Sequence, residues 1–459
     1  MTLPMLLTPL LMALILAGCA NIQVPEPQAL PAVPTAYKNP VSPDAATPQQ
    51  AQWWKTFGDS QLDALVDRAM AHNTSVQAAS ARLARARALV RNADAALTPQ
   101  LGLSASSGRA GGDFNQSQGT AGTLHQLRLD ASYEVDVMGR LSKASQAAQL
   151  DAQAAQSLLA NAHLLVQADV AQTYFSLRAI DAERALVRDT VNAYRDTLKL
   201  TERRHAAGDV SDLDVARVRT EVSANEAQAL ALDRRRQELE TALAVLVGDL
   251  PSNLSVAEGA WGESLPTVPA GLPSSMLERR PDIAAAQAGY QAAQARVGVA
   301  QTAWFPNLSL TAAAGGASPE LADLFKTSAG LWGINALLSL PIFDGGRREA
   351  GVKGAAAQAD EAAAAYREQI LQAFKDVEDQ LANLSLLGAQ RSAQADAVTS
   401  AQRALALSDS RYRNGMVSQL ELLDSRRTEL ANRRQALQIR AAQYQATVAL
   451  IKALGGSWS

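Results

Sequence analysis

The sequence predicts an internally duplicated α+β membrane protein with two long helical hairpins and about four amphipathic strands per chain. Three observations predict it. Sliding the 459-residue chain against itself by 207 residues aligns "TPQLGLSA" from Thr98 with "FPNLSLTA" from Phe305, and "RHAAGDVSDLD" from Arg204 with "RYRNGMVSQLE" from Arg411. Long stretches lack helix breakers: Leu141 to Val247 holds no proline and only Gly208 among glycines. Finally, Leu127 to Val137 alternates apolar and polar or small residues, the period of a strand with two different surroundings. A closed membrane barrel needs about eight or more strands, because open edges cannot be hydrated in lipid. Four strands per chain therefore require several copies.

The elements follow in order from the amino terminus. Leu6–Leu16 is an apolar run too short to cross a bilayer, which takes about 20 residues as a helix, and it fits the core of a signal peptide over 1–18. No Lys or Arg precedes it. The run ends in Leu16-Ala17-Gly18-Cys19, which resembles the lipobox of bacterial lipoproteins. That resemblance implies cleavage, acylation of Cys19 and, with Ala20 next, sorting to the outer membrane. The competing reading of this single cysteine is a buried free thiol. Residues 19–58, with prolines between Val24 and Pro43, are expected to form an extended strap, although a flexible linker has the same composition.

The first repeat is assigned to 59–265 and the second to 266–459, each running helix, strand, strand, long helix, turn, long helix. Apolar residues at Val166, Val170, Thr173, Leu177 and Ile180, then Val187, Val191, Tyr194 and Leu198, step by three and four as in a coiled-coil seam. The seam resumes at Val215, Val218 and Val222 and continues through Leu232, Leu239 and Leu243; Arg184, Asn225 and Arg236 interrupt it. A helix from Leu141 to Ala206 measures about 100 Å at 1.5 Å per residue. In the strands, Leu129, Ala131 and Tyr133 are expected to face lipid, and Asp130 and Ser132 a wet lumen. Ile334, Ala336, Leu338, Leu340 and Ile342 continue the apolar set in the second repeat. A soluble sheet with one buried face gives the same alternation.

The order of "RRPDI" at Arg279–Ile283, "FPNLSL" at Phe305–Leu310 and "PIFDGGR" at Pro341–Arg347 resembles the TolC-like outer membrane factors, in particular the NodT-type lipoproteins of resistance-nodulation-division (RND) efflux systems. The resemblance covers nearly the whole mature chain. It implies a homotrimer whose twelve strands form one outer membrane β-barrel, continuous with a periplasmic α-helical barrel. It also implies an efflux duct for drugs or other small molecules, working with a periplasmic adaptor and an inner membrane RND-type transporter. The competing class is a lipid-anchored periplasmic adaptor, which usually has one helical hairpin rather than two.

The residues offer little to an enzyme. His72, His125, His163 and His205 have no metal-ligand spacing, and no nucleophile elbow, P-loop or dinucleotide pattern occurs. No cofactor is expected beyond a covalent lipid on Cys19. A net charge of −3 gives no argument for nucleic acid. The helix-to-helix turns are the candidate working surfaces. Gly208 and Gly415 suit sharp reversals, Ser211 and Ser418 are placed to cap the returning helices, and Val210, Leu213, Val417 and Leu420 add apolar surface. By the resemblance these turns meet the adaptor, and Leu420, Glu421 and Asp424 fall where the family narrows its periplasmic end. Arg217, the first-repeat counterpart of Asp424, is expected to latch it. Ordinary turn residues and solvated helix charges are the alternative reading.

Overall fold

The computed structural model describes residues 34–38, 52–110, 122–259, 265–269, 277 and 279–456. Cys19 and the signal segment lie outside the described residues. The elements are α1 (Ser60–His72), α2 (Thr74–Ala95), β1 (Gln100–Ala110), β2 (Gly122–Val135), α3 (Arg140–Ala206) and α4 (Asp212–Leu246), then α5 (Pro281–Thr302), β3 (Asn307–Ser318), β4 (Gly330–Ser339), α6 (Arg347–Arg413) and α7 (Gln419–Ala453). Duplication is visible element by element: α2 and α5 have 22 residues each, α3 and α6 have 67, and α4 and α7 have 35, with every start displaced by 207.

The chain divides into two compact units. The first takes Ala81–Gln156 and Ala285–Glu368 and holds the sheet, an antiparallel meander in the order β1-β2-β3-β4. The β3–β4 register repeats that of β1–β2 with 207 added on both sides: Gln100 faces Ser132, and Asn307 faces Ser339. Both strands that lead into the long helices stop short of the sequence expectation. β2 ends at Val135 rather than Val137, and β4 at Ser339, leaving Leu340 and Ile342 beyond the ladder. Asp136 and Asp344 end them by capping the helices that follow. Asp136 accepts from the backbone N–H groups of Leu141 and Ser142 at 2.9 and 2.8 Å; Asp344 accepts from those of Gly346 and Arg348 at 3.1 Å each. The glycine pair of "PIFDGGR" is thus a strand-to-helix turn, with φ of 67° and 87°.

The second unit comprises the described parts of Pro31–Ser80, Ser157–Ala284 and Gln369–Ser459. Its seams are those read from the sequence: Val187, Val191 and Leu232 form one core cluster, and Tyr194, Val218, Val222 and Leu423 another. Trp53–Phe57, at the end of the segment expected to be extended, coils into a 3-10 turn. Its rings pack with Phe175 and Tyr444, the Phe57 and Phe175 centroids being 4.8 Å apart. Earlier in the same segment Tyr37 is buried, and the Lys38 N–H donates to Glu378 on α6 at 2.7 Å.

The two arginines that interrupt the seam, Arg184 and Arg236, are not defects, and Arg178 joins them. Arg178, 2% exposed, donates to Tyr174, Asp181 and the Ala257 carbonyl, while Arg236 reaches Asp181 at 2.7 Å and the Val256 carbonyl. Arg184 pairs with Asp233 and Glu258. Together they fasten 254–259 across α3 and α4, and each buried charge has partners, as burial demands.

One contact recurs in both repeats with different chemistry. Asn73 Nδ2 donates to the Leu246 carbonyl at 2.8 Å; 207 residues later, Arg280 Nη1 donates to the Ala453 carbonyl at 3.0 Å. Beside each lies a glycine that no other residue replaces without displacement. A Cβ on Gly248 (φ 74°) meets the His72 carbonyl oxygen at 2.3 Å, and one on Gly455 (φ 90°) meets that of Arg279 at 2.8 Å. The "RRPDI" motif is therefore an anchor. Arg280 clamps the end of α7, bonds Asp282 at 2.7 Å and approaches Asp376 at 3.4 Å.

Candidate functional site

Three surfaces carry the candidate roles, and the first is the sheet. Cross-strand neighbours share a face, so the register sorts the residues. One row reads Leu103, Leu129, Ala314, Trp332, and the next Leu101, Ala131, Ala312, Ile334. Tyr133, Leu310 and Ala336 follow, then Val135, Leu308 and Leu338. This face is apolar across all four strands and open: Leu101 and Leu103 are each 72% exposed, Trp332 80% and Ile334 75%. The opposite face aligns Gln100, Ser132, Thr311 and Asn335, with Asp130 beside them. Arg128 pairs with Asp130 there at 2.8 Å, and Ser104 donates to Asp130 at 2.9 Å. The grouping expected of Leu129, Ala131 and Tyr133 against Asp130 and Ser132 is present, with Ala336 and Leu338 in the first set. An exposed apolar face backed by a charged one matches a barrel wall between lipid and water. Among the described residues, the outer edges of β1 and β4 are unpaired.

The second surface is the pair of turns. Gly208 (φ 84°) follows α3, where the Asp209 N–H donates to the Arg204 carbonyl at 2.9 Å; Gly415 (φ 72°) follows α6, where the Met416 N–H donates to the Arg411 carbonyl at 2.9 Å. Both are Schellman closures, which use a left-handed residue to satisfy the last carbonyls. Ser211 caps α4 in a reciprocal box with Asp214, and Ser418 caps α7 through the Glu421 N–H. Val210 and Val417 are half-buried; Leu213 and Leu420 are exposed. Sequence reasoning missed Met416, 66% exposed at the position that Asp209 takes in the first turn.

The third surface is the start of α7. Leu420, Glu421 and Asp424 are exposed there, whereas Leu422 and Leu423 are buried. The Asp424–Arg217 latch is not formed within the chain: Arg217 instead approaches Asp214, one turn earlier on its own helix, at 3.7 Å. An ion pair that does join α7 to α4 is Arg427–Glu221. Gln419 adds a buried hydrogen bond to Thr201 on α3 at 2.8 Å, and Arg426 a partly buried one to Thr197 at 2.8 Å. Among the described residues no cluster of acidic, histidine or cysteine side chains has the form of a metal site, and no helix is long and apolar enough to cross a membrane.

Comparison with known proteins then decides the family. The chain matches outer membrane efflux proteins twice, over 65–249 and 272–456, each end of the second match lying 207 residues after that of the first. This chain belongs to the outer membrane efflux protein family. It is 36% identical over 456 residues to the pyoverdine export outer membrane protein OpmQ of Pseudomonas aeruginosa, covering 97% of this chain and 95% of that one. It is 31% identical over 463 residues to the cation efflux system protein CusC of Escherichia coli, covering 99% of both. Among solved structures, the Campylobacter jejuni CmeC outer membrane channel superposes with a TM-score of 0.88 at 25% identity over 93% of each chain. The outer membrane protein VceC of Vibrio cholerae gives 0.83 at 29% identity, over 89% of this chain and 99% of that one. The chain is accordingly an outer membrane channel component of an efflux pump, and the adaptor class is set aside. Its fold is that of the trimeric channels of this family, in which three chains of four strands each supply a twelve-stranded barrel.

Proposed function

We propose that three copies form the exit duct of a tripartite pump, taking cargo from an inner membrane RND-type transporter through a periplasmic adaptor. The observation that carries this reading is the sheet, apolar and open on one face over four strands, with neither edge paired among the described residues. The duct has no catalytic role in this reading; it supplies a path, and cargo choice rests with transporter and adaptor. The names of relatives support that division, since they specify pyoverdine, cations and solvent at 31–36% identity to one and the same chain. Cys19 carries the lipid that anchors and sorts the chain. The turns at Gly208, Val210, Ser211 and Leu213 and at Gly415, Val417 and Ser418 meet the adaptor.

The start of α7 acts as the gate. In a trimer Leu420 forms an apolar ring that excludes water, and Glu421 and Asp424 form acidic rings that favour cations over anions. Arg217 then serves Asp424 only across a chain boundary. Leu420→Ala with Asp424→Ala is expected to raise single-channel conductance and to sensitise cells to vancomycin. Unchanged conductance in assembled trimers places the constriction elsewhere.

A further inference from the structure

Charge on the wet face of the sheet is confined to one strand. The ladder turns only uncharged residues of β1, β3 and β4 to that side; among the described residues of the strands its charges are Arg128, Asp130 and Glu134, all on β2. Glu134 is matched by Arg140 at the start of α3 at 2.6 Å, and Arg128 by Asp130 at 2.8 Å. Arg128 and Asp130 are each 43% exposed, so this pair stands in water rather than in a core. The duplication did not keep it: 207 residues on stand Asn335 and Leu337. The space around the pair is clear. The row of Asp130 runs Gly102, Asp130, Ala313, Gly333, and no neighbour in it extends past a Cβ. Neither backbone nor packing calls for Gly102 and Gly333, since neither has a left-handed φ and a Cβ on either meets nothing within 4 Å. Glycine weakens a strand interior, and the room left at Gly102 belongs to a cavity of about 510 Å³ that Arg128 and Asp130 also line.

Resting on the channel reading above, we propose that Arg128 and Asp130 set the charge preference of the barrel lumen, as a balanced pair repeated three times in the trimer that passes cargo of either sign. Opposite charges this close present a dipole to the lumen, and their fields largely cancel a short way out. Either residue alone leaves three like charges around one path, with a field that reaches about 10 Å at 0.1 M salt. The Ser104 hydroxyl donates to the second oxygen of Asp130 at 2.9 Å, which keeps the carboxylate beside the guanidinium instead of turned towards passing cations. The glycines of the same row leave bulky cargo room to pass the pair. Discrimination by charge then falls to other parts of the duct, and the barrel itself is indifferent to sign.

Reversal potentials of purified full-length trimers in planar bilayers under a KCl gradient test this. At about 0.1 M salt, Arg128→Gln is expected to raise the ratio of potassium to chloride permeability about twofold or more over wild type, and Asp130→Asn to lower it by a similar factor. The double variant returns to the wild-type ratio, and Arg128→Lys, which keeps the charge, stays there. At about 1 M salt, where screening confines the field to about 3 Å, the shifts of the single variants shrink. A pair that serves only to hold the strands together moves trimer stability and no reversal potential. Ser132→Cys, two residues along β2 on the same face, gives a second measurement that leaves the pair intact: a cationic thiol reagent is expected to lower the ratio and an anionic one to raise it, with wild-type trimers unaffected by either. Unchanged ratios in assembled Arg128→Gln and Asp130→Asn trimers, a double variant that stays shifted, or a Ser132→Cys channel that answers neither reagent overturns the proposal. Wild-type trimers that conduct no ions overturn the channel reading itself, a failure seen before any substitution is made.

Discussion

Arg427→Ala tests whether the first turns of α7 are held shut by the neighbouring hairpin. Glu221 on α4 has a side chain only 9% exposed, and its carboxylate bonds Arg427, which is 56% exposed. Four residues earlier on the same helix, Leu423 packs with Tyr194, Val218 and Val222, so the salt bridge and this cluster secure the same stretch of α7. Removing one partner of a fully buried pair costs about 3–5 kcal/mol, because the other charge is left without compensation. Water around Arg427 already screens part of the attraction, which reduces the expected loss to about 2 kcal/mol. If opening draws α7 away from α4, the closed state alone loses this contact. The ratio of open to closed channel then rises about 30-fold, since about 1.4 kcal/mol is a factor of ten. Purified trimers in planar bilayers give the open probability directly, and Arg427→Lys, which keeps the charge, is expected to fall between the two. An open probability within threefold of wild type in Arg427→Ala trimers that are stable to heating refutes the reasoning.

Three further outcomes are expected. Burial opposes ionisation of Asp282, but the hydrogen bond and charge of Arg280 and the Ile283 N–H outweigh it and hold the carboxyl below its usual value. Its stabilising share is thus complete above the unfolded carboxylate pKa, about 3.9, and disappears as pH falls through the lower folded value; Asp282→Asn is expected to weaken the acid dependence of trimer dissociation below pH of about 4. Gly248→Ala and Gly455→Ala, which combine positive φ with a carbonyl contact, are each expected to cost more than the roughly 1–2 kcal/mol of a left-handed alanine. Gly345→Ala, with open space around it, costs no more than that, and limited proteolysis ranks the three. Leu129→Arg is expected to lose about 2–4 kcal/mol of barrel stability, the charge entering the apolar band, whereas Ser132→Arg on the other face leaves assembly intact, as urea-dependent gel migration reports.

The sequence made the architecture legible where a pattern repeats. The 207-residue shift survives because neither repeat has gained or lost a residue between Thr74 and Ala453, so each helix and strand announces its twin. Glycine and serine at the turns were readable because left-handed backbone and N-caps restrict residue choice. What escaped depends on helix rotation. Asp424 and Arg217 are equivalent in sequence, but α7 directs Arg427, three residues on, at Glu221 and leaves Asp424 exposed. Likewise Arg184 and Arg236 read as breaks in an apolar seam and Arg178 went unremarked, since nothing in their spacing indicates that 254–259 supplies carbonyls and a carboxylate to receive them.

The difference between Asp209 and Met416 bears on stoichiometry. Three chains present six turns of nearly one backbone shape, three ending in a carboxylate and three in a thioether. A protein that approached as six equal subunits would find two classes of seat, one rewarding a cation and the other an apolar patch. Its binding isotherm would then resolve into two steps of three, and raising the salt concentration would weaken only the acidic step. Exchanging the two residues, Asp209→Met with Met416→Asp, would leave that count unchanged and merely trade the seats.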